Sequence, residues 1–302
     1  MRPLSYSVAV FAYNEEQAIT QCLDSIQQSC EGTDTIIHVL ANGCTDGTER
    51  AVSRYAQTHR NIRLVVIELG DKANAWNHYV HVIAPRADVH FFVDGDVMIS
   101  PGALRNMTEC LHRHPEASAA AGLPISGRSR DSLREKLISN REMAGNFYAL
   151  RGSTVDDFRR RDLRLPVGIF GEDGLVGMLV KCDLDPLEKS KPDRIVPCEE
   201  GGFYFDSLSI LNLSHWRIYR NRKMRYAVRR QQANMLYPML FAGGLDAMPR
   251  HVADMYGKRS DVLKLRWNGT NTYFDFVAIR RIKRKTKLGA AASALDEARY
   301  YS

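Results

Sequence analysis

Long apolar runs are missing from this 302-residue chain. The longest, "MLYPMLFAGGL" (235–245), falls well short of the roughly 20 residues a bilayer-spanning helix needs, so none is expected. A basic start followed by an apolar core is missing too, because "MRPLSYSVAV" soon reaches Tyr13-Asn14-Glu15-Glu16. That argues against a secretory leader and sets the expectation of a cytoplasmic protein. C-x-x-C spacing is absent: the six cysteines (Cys22, Cys30, Cys44, Cys110, Cys182, Cys198) are scattered. A zinc site and a disulfide frame are thereby excluded, which leaves reduced, mostly packing thiols. No repeat and no Pro/Gly/Ser linker divides the chain. Its length then predicts one large α/β domain, or one domain with an appendage.

What is present is an ordinary globular balance, 44% hydrophobic and 25% charged, with a net charge of +7. The charge gathers in "RRRDLR" (159–164), "RIYRNRKMRYAVRR" (217–230) and "RRIKRKTK" (280–287). Such runs suit nucleic acid, anionic lipid or a phosphorylated substrate, or form a solvated helix face. The first half alternates elements. "YSVAVFAY" (6–13), "TIIHVLAN" (35–42), "IRLVVIEL" (62–69) and "VHFFVD" (89–94) read as strands. Residues 15–29, 47–59 and 72–83 read as helices, as does a segment capped by Ser100-Pro101 and running to about His114. Apolar strands separated by helices predict a parallel sheet covered on both faces, with ligands at the strands' carboxyl ends. In the second half the pattern predicts helices over 131–150 and from Ser214 to 237, an extended segment at 164–170, a turn opening a helix at 171–180, and hairpin or irregular β structure at 194–211. From Gly243 onward no period stands out.

The polar interruptions fall at the same end of each strand. Strand one ends in Ala12-Tyr13-Asn14-Glu15, strand two in "ANGCTDGTE" (41–49), strand four in Asp94-Gly95-Asp96. Two carboxylates one residue apart at the end of a buried strand form either a turn or a divalent-cation site. The convergence of three such loops on one sheet edge favours a functional cleft.

In order, "VAVFAYNEEQAI", "ANGCTDGTE", "GDKANAWN" (70–77), "VDGD" and "GEDG" (171–174) resemble the motifs of family 2 glycosyltransferases over about 230 residues. The resemblance implies a GT-A fold: a Rossmann-like, mostly parallel sheet flanked by helices on both faces, with a C-terminal helical extension. It divides the chain into a nucleotide-sugar-binding half (1–125), an acceptor-binding half (126–240) and a basic extension (241–302). It also implies an inverting, metal-dependent transfer from a nucleotide sugar, UDP-linked by preference, to a glycan, lipid-linked or small-molecule acceptor.

The residues suit those roles chemically. Mn²⁺ or Mg²⁺ on oxygen ligands acts as a Lewis acid on a diphosphate leaving group. By resemblance Asp96 meets the metal most directly, with Asp94 nearer the ribose or a metal-bound water, while alternation sends Gly95 the other way. Ala12, Tyr13 and Glu15 would hold the nucleoside, and Lys72 would sit near the uracil or the phosphates. Asn42 stands where the family often has Asp, and its carbonyl oxygen still accepts from a base N–H. Asp46 reads as a loop-stabilising carboxylate at a helix start. Asp173 matches the family's general base and Glu172 an acceptor-orienting neighbour, although an acidic residue there also suits a helix cap. His215 is either a further metal ligand or packing beside Trp216. "RKMRY" (222–226) resembles a diverged Q-x-x-R-W segment, which offers Arg222 and Arg225 to the diphosphate. Its divergence and the lack of a membrane domain point to single transfers and not to processive polymerisation.

Two alternatives come from other classes. A non-catalytic basic protein would bind anionic membrane or nucleic acid, but no nucleic-acid module is present and no nucleic-acid partner is expected. A sugar nucleotidyltransferase would need a glycine-rich basic loop after strand one, where this chain has "AYNEEQA". The run "RRIKRKTK" also suits peripheral contact of the enzyme with an anionic inner-membrane face.

Overall fold

The computed structural model describes residues 4–30, 33–205 and 213–288, with 213–218, 260 and 285–288 in backbone only. One eight-stranded sheet organises them: β1 (Ser5–Ala12), β2 (Asp34–Asn42), β3 (Ile62–Ile67), β4 (Val89–Asp94), β5 (Met98–Ile99), β6 (Ala119–Pro124), β7 (Phe147–Arg151) and β8 (Ile195–Tyr204), in the order β3-β2-β1-β4-β7-β6-β8-β5. Pairing is parallel for β1 with β2 and β4, β2 with β3, and β6 with β8. It is antiparallel where β7 joins β4 and β6, and where β5 joins β8. The helices are α1 (Ile19–Ser29), α2 (Thr48–Ala56), α3 (Lys72–His78, continued by a π-turn over Tyr79–Ile83), α4 (Ala103–Arg113), α5 (Arg130–Asn140), α6 (Gly152–Arg160), α7 (Glu172–Lys181), α8 (Leu213–Gly243), α9 (Ala253–Tyr256) and α10 (Thr270–Leu288). The mostly parallel sheet, helices on both faces and helical C-terminal part are the architecture expected. Among the described residues no helix is long and apolar enough to cross a membrane.

Strand alternation sorts the side chains into two cores. Val8, Val10, Phe91 and Val93 face one side with Leu23, Ile26 and Leu104. Ala9, Phe11 and Phe92 face the other with Trp76, Tyr79 and Tyr148. The same period of two carries Asp94 to the side of Phe92, beneath α3 and α7. Trp76 Nε1 donates to the Tyr148 hydroxyl at 2.9 Å, which satisfies a polar tip inside that layer.

Several local expectations change. The helix predicted over 131–150 ends at Asn140, where Arg141 turns to φ +48°. Phe147–Arg151 instead forms β7, because its short apolar run finds strand partners on both sides. Ser100 is not the cap of α4: Gly102 precedes that helix at φ +71°, and Ser100 Oγ accepts from the Gly202 amide at 3.1 Å. Residues 164–170 make a single bridge, Val167 with His251. The β structure near 194–211 is one strand, β8, bulged opposite Gly122/Leu123, and residues 206–212 lie outside the described residues. Beyond Gly243, where no period stood out, α9 and α10 are helical. α10 turns Asp275, Ala278 and Ile282 inward, and Asp275 pairs with Arg230 of α8 at 2.7 Å.

Candidate active site

At the carboxyl ends of β1, β2 and β4 the chain leaves a cleft of about 350 Å³. Of the expected residues, Tyr13, Glu15, Asn42, Lys72, Asp94, Gly95, Asp96, Glu172, Asp173 and Arg225 all line it. Two do not. Ala12 is buried behind Gly95, and Arg222 sits about one turn before Arg225 on α8. His215 falls in the first turn of α8, where side chains lie outside the described residues.

Each loop places its polar group for a local reason. α1 begins at Ile19 and not at Glu15, so Glu15 stays at the cleft, its amide donating to Thr48 Oγ1 at 2.7 Å. Asp46 accepts from the Thr48 and Glu16 amides, which fixes the start of α2 as the loop-stabilising reading expected. Asn42 Nδ2 donates to the Ala12 and Leu40 carbonyls at 2.9 and 3.4 Å. Because both neighbours are acceptors, the amide orientation is fixed and Oδ1 is left toward the cleft. After β4 the chain turns at once: Gly95 N donates to Phe11 O at 2.8 Å, and a Cβ on Gly95 would lie 3.1 Å from that oxygen. The Asp-Gly-Asp segment is therefore a turn that also presents Asp94 half-buried and Asp96 exposed to one cleft.

Lys72 lies deeper in the ion pairing than expected. The first residue of α3, it follows Asp71, whose side chain caps the helix through the Asn74 amide at 2.7 Å and accepts from Gly168 N at 2.9 Å. Its ammonium is hydrogen-bonded to Asp94 Oδ1, lies 3.0 Å from Glu172 Oε1 and donates to Gly145 O at 3.3 Å. Burial pulls the Lys72 pKa down, but Asp94 and Glu172 outweigh it and hold the ammonium charged well above its ordinary value. One ammonium does not balance the carboxylates around it. Burial pushes Asp94 up to about 7, with Lys72 opposing and Asp96 adding to the rise. Burial, then Asp96 and Asp94, push Glu15 up to about 8. This surplus of carboxylate oxygen at the mouth is what a hard divalent cation would relieve, so the residues fit Mn²⁺ or Mg²⁺.

Across the cleft, Gly171 at φ +81° precedes α7, so Asp173 lies inside the first turn and is not the cap. Asp173 Oδ2 accepts from Gly145 N at 3.2 Å, and Oδ1 lies 3.3 Å from Arg229 Nη2. A Cβ on Gly171 would come within 2.1 Å of Arg229 Nε, so the missing side chain makes room for the guanidinium. Arg229 was not anticipated from sequence. Its signal was there: it stands four residues after Arg225 on one helix, which puts both on the same face. Asn146 and Phe170 join the lining from segments that carry no motif.

Comparison with known proteins identifies the family and the fold. The family model described as Glycosyl transferase family 2 matches residues 7–182. No curated protein matches the chain. Among solved structures, the chain is similar to the mannosyltransferase PcManGT of Pyrobaculum calidifontis, solved with GDP-Man and Mn²⁺ (TM-score 0.60, 18% identity, 100% of this chain and 82% of that one). It is also similar to S. aureus TarS 1–349 with UDP-GlcNAc (0.51, 15%, 95% and 92%). A third is the glucosyl-3-phosphoglycerate synthase of Mycobacterium tuberculosis with UDP (0.50, 19%, 75% and 80%). At such identities the likeness is one of fold.

Proposed function

The chain belongs to glycosyl transferase family 2, and from that premise we propose that it moves one sugar from a UDP-linked donor to an acceptor hydroxyl in a single displacement that inverts the anomeric carbon. Family membership makes it a glycosyltransferase and sets aside the non-catalytic alternative. The observation that carries the finer reading is the cleft itself, where Glu15, Asn42, Lys72, Asp94, Asp96 and Asp173 meet from separate segments.

Asp94 and Asp96 would hold Mn²⁺ or Mg²⁺. Among the described residues no three His, Cys, Asp or Glu side chains form a complete cage. That suits a cation held by one or two carboxylates with phosphate oxygens and water completing its shell. A cation held there would supply Lewis-acid neutralisation of a diphosphate leaving group; the Mn²⁺ in PcManGT supports the choice. Asn42 Oδ1 takes the imide N–H of uracil. Tyr13 and Glu15 flank the nucleoside, and Arg225 meets the phosphates. Asp173 takes the proton of the acceptor hydroxyl as it attacks, oriented by Gly145 N and Arg229. Glu172, turned to Lys72, ties the acceptor-side helix to Asp94. The exposed Arg280, Lys283 and Arg284 of α10, beside exposed Tyr273 and Phe276, support peripheral contact with an anionic membrane on the cytoplasmic side.

Thermal stabilisation by a panel of UDP- and GDP-sugars, with and without Mn²⁺, tests the proposal. At a donor concentration of 100 Kd a Mn²⁺-dependent gain of about 2.7 kcal/mol is expected with a UDP-sugar, and its loss in the Asp94→Ala/Asp96→Ala protein. Absence of any metal-dependent shift across the panel would refute it.

A further inference from the structure

Beside the donor cleft opens a second cavity of about 880 Å³, near the upper end of what holds a drug-sized ligand. The two spaces share Gly145, Asn146, Asp173, Tyr226 and Arg229, so a molecule filling the second ends at the Asp173 carboxylate. Away from that end the wall is largely apolar: Leu137, Met143, Met178, Ile195, Tyr237 and Phe241. Phe241 stands at the rim, 53% exposed.

The charged side chains of this wall are mostly paired already. Lys136 lies 2.9 Å from Glu142, Lys181 Nζ donates to the Asn140 carbonyl at 2.8 Å, and Arg230 lies 2.7 Å from Asp275. Arg229 is engaged by Asp173. An extended anionic ligand would have to break the pairs of Lys136, Arg229 and Arg230, would be left with Lys181 alone, and would face the Glu188 carboxylate. A glycan chain would find polar partners at Asn146, Glu188 and Ser190 but would lay the rest of its hydroxyls against apolar side chains. An apolar body against Leu137, Met143, Met178 and Ile195 gains by leaving water.

Resting on the proposed function, we propose that the acceptor is a compact amphiphile: a hydroxyl-bearing head at Asp173 and a neutral alkyl or aryl body in the 880 Å³ cavity. The donor cleft supplies the sugar, and this cavity selects what receives it.

Gly177 of α7 gives a handle on the space. A Cβ there meets Met143 Cε at 3.5 Å and Ile195 Cδ1 at 3.7 Å, ordinary contact, so Gly177→Ala fits while Gly177→Leu projects into the cavity. The probes are butyl, hexyl and octyl β-glucosides below their micelle concentrations, titrated calorimetrically, so that binding is read without turnover. Complete burial of a methylene is worth about fourfold in affinity, and with incomplete burial the four methylenes between butyl and octyl should give at least about tenfold. That rise is expected in the wild type and in Gly177→Ala, reduced in Phe241→Ala and abolished in Gly177→Leu. An affinity indifferent to chain length in the wild type, or the same rise in Gly177→Leu, overturns the proposal. Mn²⁺-dependent stabilisation by UDP-sugars, measured on the same four proteins, reports the donor site separately. Its absence in all four, beside a chain-length rise in the wild type that Gly177→Leu abolishes, would sink the donor reading and leave the amphiphile site standing.

Discussion

Replacing Lys72 by Met removes the one ammonium that Asp94, Glu172 and the Gly145 carbonyl share. The side chains of Lys72 and Asp94 are each 26% exposed and that of Glu172 11%, so most of the interaction is shielded from water. Breaking a buried pair by deleting one partner costs about 3–5 kcal/mol when the remaining charge stays uncompensated, and less where a carboxyl such as Asp94, already pushed up to about 7, can take a proton instead. The residual exposure puts this site near the lower end, about 3 kcal/mol. For a chain of this size that corresponds to a fall in Tm of roughly 6 °C. A double-mutant cycle separates the ion network from lost packing. Glu172→Gln alone should cost about 1 kcal/mol, and the Lys72→Met/Glu172→Gln protein should be less destabilised than the sum by 1 kcal/mol or more. Urea unfolding of the four proteins at constant m-value is the assay. Additivity within about 0.5 kcal/mol, or a Lys72→Met protein as stable as the wild type, would refute the reasoning.

Asp173→Asn should lower turnover by about 10²–10⁴-fold while leaving donor stabilisation intact, which paired kinetic and thermal-shift measurements check. His90 is buried, its Nδ1 2.9 Å from the Tyr79 hydroxyl, and burial followed by Arg159 lowers its pKa to about 4. Because the folded value lies below the unfolded one, stability is fully present above about pH 6.5 and is lost as pH falls toward 4. The loss at pH 4 is on the order of 3 kcal/mol, and unfolding curves of His90→Asn should be flatter across that window. Replacing Arg280, Lys283 and Arg284 by Ser should abolish sedimentation with phosphatidylserine vesicles; equal binding to neutral and anionic vesicles would remove the membrane reading.

The first four strands and the cleft at their ends were legible because they rest on strong local signals: apolar runs, and polar loops at one end. β7 was not. "FYAL" within a predicted helix is too short for its period to be read, and only pairing with β4 and β6 makes it a strand. β8 carries Pro197, which normally disfavours an inner strand. It is tolerated because β5 covers only Phe203 and Tyr204, so the remainder of β8 is an edge. α10 has its inward stripe at Asp275, Ala278 and Ile282, but the first member is an ion-paired Asp, which hides the amphipathic pattern. At the site, residue types were readable while pairing was not. Lys72 was expected near the nucleotide, and its distances to Asp94 and Glu172 arise only once α3 and α7 face one another across β4.

The strand order also sets a timetable for synthesis. β3, β2, β1 and β4 can pair once residue 94 has emerged, because all their mutual partners precede it. β6 cannot: its neighbours are β7 and β8, and β5 waits for Phe203 and Tyr204. For as long as the ribosome takes to add about 80 residues, the apolar "AAAGLP" segment has no completed place in the sheet. Chaperone capture of nascent chains should therefore peak between the emergence of β6 and that of β8, and a stalled chain ending before Tyr204 is the one most prone to aggregate.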